Sequence, residues 1–147
     1  MSIARTQRLR EEWIDYNGHL SEAYYVLIFG FATDAVMERV GLDATYRASS
    51  GCSLYTVEAH VRYLHEVAGG DTAVEVRTRV VEVGGKKVRL CHEMWWEQTL
   101  VATEELLALH VDTGVGRAAP FPEDVAASLE ALVEAVPEYA GRAVGQR

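Results

Sequence analysis

A short segment near the N-terminus, WIDYNGHL at residues 13–20, places three polar side chains around one glycine. Asp15 provides a carboxylate, Asn17 an amide and His19 an imidazole, and Gly18 lies between the last two. A carboxylate can attack a carbonyl carbon or take a proton from water, and unpaired backbone N–H groups at a helix start can stabilise an oxyanion. These residue types therefore indicate chemistry at a carbonyl group.

Each of these residues also has a structural explanation. Asp15 and Asn17 could each close a local turn by bonding to the backbone, and Asn17 could instead orient a carbonyl group or a water molecule. We expect Gly18, which has no Cβ, to let a substrate approach the backbone. We expect the His19 ring to hold the loop in place rather than to transfer a proton.

The element that must position this segment is a long amphipathic helix predicted over residues 21–40. Ser21 is a suitable N-cap, and Gly41 followed by Leu42 predicts a Schellman motif at the other end. The start of the helix would direct its unpaired amides toward Asp15. Apolar residues recur at the three- and four-residue spacing of one helix face, namely Tyr24, Leu27, Ile28, Phe31, Ala35 and Val36.

After this helix the sequence alternates between apolar and polar residues, which predicts β-strands. Glu58 and His60 lie on the polar face of the first strand, either in solvent or against a partner protomer. Glycine-containing turns between the segments predict an antiparallel meander in chain order. The predicted strands cover residues 54–67, 72–83, 88–98 and 100–113.

Two further elements complete the predicted fold. A strand over residues 6–13 precedes the long helix, and a terminal helix over about residues 123–136 follows Pro122. The long helix is the only predicted element that is long and apolar enough to cover such a sheet. The sequence therefore predicts an α+β fold, a single domain over residues 1–147 in which a curved antiparallel five-stranded sheet wraps the long helix.

Composition and charge argue against several classes of protein. The formal net charge of −8 opposes binding to nucleic acid. No apolar stretch reaches the roughly 20 residues that span a bilayer, and the N-terminus lacks the apolar region of a signal peptide, so we expect a cytoplasmic protein without a membrane partner. Cys52 and Cys91 are expected to be buried thiols. The histidines lack metal-ligand spacing, so neither a metal nor another cofactor is expected.

The sequence resembles the hotdog-fold acyl-CoA thioesterases similar to 4-hydroxybenzoyl-CoA thioesterase. DYNGHL is similar to the D-x-x-G-H-x element that precedes the central helix of that family. VRYLHEVAGGDTAVEVRTRVVEVGGKKVRL and LVATEELLALHVD extend the likeness over most of residues 6–115. EWIDYNGHL, FGFATDAVMERVGLD, TVEAHVRYLHEV and HVDTGVGRAAPFP also resemble a narrower group, the betainyl-CoA thioesterases of carnitine breakdown, which includes the domain fused to some L-carnitine dehydrogenases.

The resemblance implies hydrolysis of an acyl-CoA thioester. Asp15 would be the catalytic carboxylate, as nucleophile or as general base, and Asn17 and His19 would complete the candidate catalytic set. The resemblance also implies a homodimer or homotetramer that pairs through its sheets and forms its active site at the interface. Coenzyme A is then part of the substrate, and its phosphates would be bound by surface cations such as Arg62, Lys86, Lys87 or Arg89.

A betainyl group carries a trimethylammonium, which has no N–H to donate and is bound by aromatic faces and carboxylates. Most aromatic side chains in this sequence are nevertheless expected in the core or in an interface. The candidate anions are Glu22 and Glu58, and Gly18 and His60 are further candidate substrate-binding residues. The aromatic candidates are Trp13, Tyr16, Tyr24, Tyr25, Tyr55, Trp95 and Trp96.

Two alternatives stay open. A thioesterase for another short-chain or aromatic acyl-CoA would keep its substrate choice when Glu22 or Glu58 loses its charge. A non-hydrolytic acyl-CoA binder on the same fold would release no thiol, although it would not need a carboxylate at Asp15. A hotdog dehydratase is disfavoured, because it would need a histidine on the central helix and residues 21–40 contain none.

Overall fold

The computed structural model describes residues 3–146. Its elements follow the predicted order of strand, long helix, strands and helix, with one additional short helix and a two-residue strand. A 3₁₀ turn at Glu11–Trp13 connects the first strand to the segment that contains Asp15. The elements are β1 Ile3–Arg8, α1 Glu22–Val40, α2 Ala44–Ser50, β2 Cys52–Tyr63, β3 Ala73–Val83, β4 Lys87–Trp96, β5 Thr99–Asp112, β6 Arg117–Ala118 and α3 Glu123–Ala131.

Helix α1 has the predicted boundaries. Ser21 is its N-cap residue, although its side chain makes no capping hydrogen bond. At the other end Gly41 adopts the left-handed conformation with φ +96°, and Leu42 N–H donates to Met37 O at 2.8 Å. This bond closes the predicted Schellman motif, and Leu42 is fully buried.

The buried face of α1 is shifted from the predicted one. Ile28 and Val36 are buried as expected, whereas Leu27 is exposed and Phe31 is only half-buried. The helix is apolar on more than one side, so spacing alone does not tell the core side from the exposed side. The residues that α1 buries are Tyr25, Ile28, Phe29, Ala32, Thr33, Val36, Met37 and Val40.

The long strands form one antiparallel sheet in the order β1-β3-β4-β5-β2, and β6 pairs with β5. β3, β4 and β5 are joined in sequence as predicted. The predicted pairing of β2 with β3 is wrong, because β2 pairs with β5 and lies at the edge of the sheet. The glycines before β3 do not form a hairpin turn. Gly69 instead lets the backbone pass close to Ile14, since a Cβ on Gly69 would lie only 2.8 Å from the Ile14 side chain.

Three other boundaries differ from the prediction. β1 ends at Arg8 because the chain turns into the 3₁₀ segment before Trp13. The short helix α2 was not predicted; Asp43 caps it by accepting a hydrogen bond from Tyr46 N–H at 2.8 Å. α3 ends at Ala131, well before residue 136, because Glu134 N–H already donates to Val80 O at 2.8 Å and holds the following segment against β3.

The core lies between α1 and the inner side of the sheet. One cluster surrounds Phe29 and Met94 near the start of α1, and a second surrounds Val36 and Leu90 and is closed by α3. A long helix packed inside a curved antiparallel sheet confirms the predicted α+β architecture. Within residues 3–146, no helix is long and apolar enough to cross a membrane.

Candidate active site

Asp15 lies in a tight loop between the 3₁₀ turn and α1. Its Oδ1 atom accepts hydrogen bonds from the N–H groups of Asn17 at 2.9 Å and His19 at 3.2 Å. Its own N–H donates to His19 O at 2.8 Å. The side chain therefore does close the local turn that the structural explanation anticipated. This turn fixes the half-buried carboxylate in place, and Oδ2 makes no hydrogen bond with any other described residue.

Gly18 is required by the backbone of this loop. Its φ of +81° lies in the left-handed region, where residues with a Cβ are strained. A Cβ at this position would meet no atom within 4 Å, so the space above Gly18 is open. That open space agrees with the expectation that a substrate can approach the backbone here.

The loop is fastened to the segment between β2 and β3. Gly69 N–H donates to Gly18 O at 2.8 Å, and Leu20 N–H donates to Val67 O at 2.8 Å. The His19 ring contributes through its Nε2 atom, which lies 3.4 Å from Glu66 Oε2. These contacts agree with the expectation that His19 stabilises the loop.

The start of α1 leaves two amides unpaired. Ser21 N–H donates to Trp13 O and Tyr24 N–H donates to Ser21 O, each at 3.0 Å. The amides of Glu22 and Ala23 make no hydrogen bond within residues 3–146. Such amides carry the positive end of the helix dipole and can stabilise a negative oxygen.

A cavity of about 380 Å³, which we call the entrance cavity, opens beside this helix start. The rings of Tyr25 and Tyr63 meet in it at right angles, with their centroids 5.1 Å apart. Glu22 and Glu66 also line it, and no described Lys or Arg does. Burial raises the pKa of the Tyr25 hydroxyl, and the negative charges of Glu66 and Asp15 add to that rise. The cavity is therefore aromatic, acidic and close to Asp15.

The sequence identified only part of this cavity. Glu22 and Tyr25 were among the candidates, whereas Tyr63 and Glu66 were not. The alternation in β2 placed Tyr63 on the apolar face of its strand, which was the available signal. Its position beside α1 depends on the pairing of β2 with β5, which local sequence does not reveal.

The other candidate aromatic residues lie outside the entrance cavity. Trp13 is only 5% exposed, and its ring stacks on Tyr24 at 5.8 Å. Tyr16 is 98% exposed on the Asp15 loop. Trp95 lies under the guanidinium of Arg77, 4.6 Å from the ring centroid. Tyr55 and Trp96 are likewise absent from the cavity wall.

Glu58 and His60 are not brought to Asp15 either. They line a different cavity of about 410 Å³ on the outer side of the sheet, which we call the outer cavity. Arg89 and Glu105 lie in the same wall and form an ion pair at 2.9 Å. The candidate substrate-binding residues therefore divide between the two sides of the sheet.

The candidate cations for the CoA phosphates are also divided. Lys86 and Lys87 lie at the turn between β3 and β4, whereas the loop containing Asp15 lies near the other end of these strands. Leu9, a few residues before this loop, donates its N–H to Thr72 O at 3.0 Å, and Thr72 directly precedes β3. The loop therefore lies at the end of the sheet where β3 begins. Among the four cations only Arg62 lies at the same end as Asp15, beside Tyr63 on β2.

The cysteines and histidines form no metal site in the described chain. No group of three or more His, Cys, Asp or Glu side chains within residues 3–146 is arranged to hold a metal ion. Cys91 is buried as expected, and its burial raises the pKa of its thiol; Cys52 is half-buried, and both are free. The expectation that no metal or other cofactor is needed stays a prediction.

Comparison with known proteins places these features in a family. Residues 9–129 match the model described as the thioesterase-like superfamily. The chain is 45% identical over 142 residues to the betainyl-CoA thioesterase of Pseudomonas aeruginosa, covering 91% of this chain and 88% of that protein. It is 41% identical to the L-carnitine dehydrogenase/betainyl-CoA thioesterase of Agrobacterium fabrum, covering 90% of this chain but 28% of that longer protein. A solved structure of a candidate thioesterase from Pseudomonas putida is 37% identical, with a TM-score of 0.83 over 97% of this chain and 96% of that chain.

Proposed function

Since the chain belongs to the thioesterase-like superfamily and has its hotdog fold, we propose that it hydrolyses an acyl-CoA thioester with Asp15 as the catalytic carboxylate. The observation that carries this proposal is the geometry of the Asp15 loop. Two backbone N–H groups hold Oδ1, while Oδ2 has no hydrogen-bond partner among residues 3–146. The unpaired amides of Glu22 and Ala23 begin the helix that follows.

In this reaction water is added across the C–S bond, giving a carboxylic acid and the thiol of coenzyme A. Asp15 either attacks the carbonyl carbon to form an anhydride that water then opens, or takes a proton from the attacking water. In both routes the carbonyl oxygen becomes negative before the C–S bond breaks. The amides of Glu22 and Ala23 are the groups that would stabilise that oxygen.

Betainyl-CoA is the substrate that we favour. Relatives named betainyl-CoA thioesterases support it, at 45% and 41% identity. The entrance cavity supports it independently, because Tyr25 and Tyr63 offer aromatic faces while Glu22 and Glu66 offer negative charge. A quaternary ammonium is attracted by both kinds of group.

We further propose that two copies of the chain associate along β2. This strand is at the edge of the sheet, and it exposes the large side chains of Tyr55, Val57 and Tyr63. Val26 and Leu27 extend the exposed apolar surface onto α1. An unpaired edge beside apolar side chains is a surface that association would cover. Whether dimers form tetramers, and the expected cytoplasmic location, stay predictions.

The test is thiol release from betainyl-, acetyl-, butyryl- and benzoyl-CoA by the wild type and by Asp15→Asn. We expect Asp15→Asn to lower kcat by about 10³-fold, in the range found for a lost general base or nucleophile. Asp124→Asn, which changes an exposed carboxylate on α3, is the matched control and should keep full activity.

The panel also separates the alternatives. Equal release from neutral and cationic substrates would retain the thioesterase and reject betainyl-CoA as the preferred substrate. Saturable binding of acyl-CoA without thiol release would instead support a non-hydrolytic binder. Release that survives Asp15→Asn unchanged would contradict the catalytic role of Asp15.

A further inference from the structure

The rings of Tyr25 and Tyr63 form an aromatic corner in the wall of the entrance cavity, which we call the tyrosine corner. Their planes are perpendicular, and their centroids lie 5.1 Å apart. In such a pair the edge of one ring points at the face of the other, so Tyr25 covers at most one face of the Tyr63 ring. Tyr25 is only 4% exposed, whereas Tyr63 is 45% exposed. The Tyr63 ring therefore keeps a face open to the cavity.

Other aromatic rings of this chain already have a cation above them. In each case an arginine guanidinium lies between 4.6 and 5.6 Å from the ring centroid. The pairs are Arg5 with Phe31, Arg10 with Trp13 and Arg77 with Trp95. No described Lys or Arg lines the entrance cavity, so the tyrosine corner lacks the guanidinium that occupies the other three rings. Its open face is available to a cation from outside the chain.

The tyrosine corner lies where a betainyl group requires a cation site. The ammonium of this group is two bonds from the thioester carbonyl carbon, so it must lie beside the groups that bind the carbonyl oxygen. Glu22, whose amide is one of these groups, lines the entrance cavity together with both tyrosines. Tyr25 follows three residues later, which is about 4.5 Å along the axis of α1. A carbonyl oxygen at the Glu22 amide and a cation at the corner therefore fit one small substrate.

The segment that follows β2 connects the tyrosine corner to the Asp15 loop. The two N–H groups after Tyr63 both donate to Val101 O, at 2.8 and 3.2 Å, and fix the backbone next to the ring. Further along the segment, Val67 O accepts a hydrogen bond from Leu20 N–H at 2.8 Å. The same short segment therefore holds the Tyr63 ring and the loop that contains Asp15 in a fixed relation.

The carboxylates of the cavity are less suited to select a charged acyl group. Glu22 is exposed, and the side chain of Glu66 is 75% exposed and already lies 3.4 Å from His19 Nε2. Water and salt screen such charges, whereas a cation is attracted to an aromatic face in direct contact with the ring. Burial raises the pKa of the Tyr63 hydroxyl, and the negative charge of Glu22 adds to that rise, so this ring is a neutral phenol at neutral pH.

We propose that Tyr63 selects the quaternary ammonium of the acyl group, which packs on the open face of the Tyr63 ring while Tyr25 holds that ring in position. This inference rests on the proposed function, because the cation is located relative to a carbonyl group at Asp15. It assigns the choice of a charged acyl group to an aromatic face instead of a carboxylate. Tyr63 is thus a specificity-determining residue that takes no part in breaking the C–S bond.

The first test compares betainyl-CoA with tert-butylacetyl-CoA, which has the same shape but no charge. The measured quantity is the ratio of the two kcat/KM values, which we call the charge preference. Tyr63→Leu should lower the charge preference by about 3- to 30-fold, the size of a cation–π contact. Tyr63→Phe should keep it within about 2-fold, because the ring face stays and only the hydroxyl is lost. Changes in cavity shape affect both substrates alike and cancel in the ratio.

Tyr55→Leu is the matched control. Tyr55 lies on the same strand and is similarly exposed, at 49%, but it is absent from the wall of the entrance cavity. Both tyrosines belong to the proposed association surface, so a loss of association alone would affect the two leucine variants alike. Tyr55→Leu should keep the wild-type charge preference.

A second measurement does not depend on hydrolysis. Tetramethylammonium should bind the wild type and Tyr63→Phe in calorimetry, and bind Tyr63→Leu at least about 3-fold more weakly. If this binding depends on the Tyr63 ring while Asp15→Asn keeps full activity, the cation site is supported and the proposed role of Asp15 fails. If Asp15-dependent hydrolysis persists but Tyr63→Leu keeps both the charge preference and tetramethylammonium binding, the cation site is rejected and the thioesterase stands.

Three other results would also overturn the inference. Equal losses of charge preference in Tyr63→Phe and Tyr63→Leu would assign the selection to the hydroxyl instead of the ring face. A lower kcat/KM on both substrates with an unchanged ratio would give Tyr63 a role in packing or in subunit association only. A wild type without any charge preference would reject both the cationic substrate and its site at Tyr63.

Discussion

Glu104 and Glu105 are neighbours on β5, yet they lie in opposite electrostatic environments. Glu105 points to the outer cavity, where it pairs with Arg89 at 2.9 Å and accepts a hydrogen bond from Gly141 N–H at 2.7 Å. Glu104 points to the inner side of the sheet, where its nearest ionisable neighbour is His92, which burial keeps neutral. The alternation of side chains along a strand separates the two carboxylates by the thickness of the sheet.

The difference shows how the same residue type can serve two purposes. In the outer cavity, acidic and basic side chains are interspersed, so the charge of Glu105 is already compensated by Arg89. On the inner side of the sheet, the cavity of about 250 Å³ between α1, β2 and β5 is lined by Glu104 and Asp34 and, among the described residues, by no Lys or Arg. An uncompensated charge is a cost to stability that a ligand of opposite charge can relieve.

The largest stability effect that would test this comparison is the response of Glu104 to pH. The pKa of Glu104 is raised from its ordinary value of 4.5 to about 7 in the folded state, so the folded protein holds this proton more tightly than the unfolded chain. The stabilisation that comes from protonating Glu104 in the folded state is therefore complete below about pH 4.5 and is lost as pH rises through about 7. Relative to Glu104→Gln, wild-type stability should fall by about 3 kcal/mol across this range.

Denaturant unfolding of both proteins between pH 4 and pH 8 measures this difference. His92, Asp34 and Tyr63 also face or adjoin Glu104, but they are present in both proteins and cancel in the comparison. A constant difference between the two proteins over the whole range would show that Glu104 is compensated in solution.

Removing the charge of Glu105 should have a smaller effect of opposite sign. Glu105→Gln breaks the ion pair with Arg89, whose side chain is 28% exposed, and should lower the free energy of unfolding by about 1–2 kcal/mol at neutral pH. Glu82→Gln removes a longer contact with Arg89, at 3.9 Å, and serves as the control with a loss below about 0.5 kcal/mol. If Glu105→Gln instead stabilises the protein, the attraction between Glu105 and Arg89 does not offset the free-energy cost of burying the two charges.

The smallest effect is expected at the entrance cavity, which Glu22 lines. Glu22 is exposed in the first turn of α1, where water and salt screen its charge. Glu22→Gln should therefore lower kcat/KM for betainyl-CoA, relative to kcat/KM for the uncharged analogue tert-butylacetyl-CoA, by only about 2- to 3-fold. A loss of more than about 10-fold would mean that the Glu22 carboxylate contacts the cation directly and is not screened. Steady-state kinetics at two salt concentrations can decide this, because only the contribution of an exposed charge should weaken with salt.

The candidate catalytic loop could be predicted because its interactions are local. Asp15, Gly18 and His19 lie within five residues of one another, and the hydrogen bonds that shape the loop run between them. The substrate cavity could be predicted only in part. Tyr63 and Glu66 join Glu22 and Tyr25 through contacts between segments about 40 residues apart, and nothing in either segment specifies the other.

The sequence by itself determined the elements whose energetics are local. α1 ends at the predicted position, where Gly41 adopts the left-handed conformation and is followed by the apolar residue Leu42. The short Gly-containing turn joins β3 to β4, also as predicted. Tertiary structure decided which strand lies beside β2, because the alternating pattern gives each strand an apolar face but does not specify which other strand pairs with it. Pairing with β5 placed Glu104 opposite Val61, on the side covered by α1, and left Glu105 on the other. Which of two adjacent glutamates became buried without a cation therefore depended on the packing of the whole sheet around the helix.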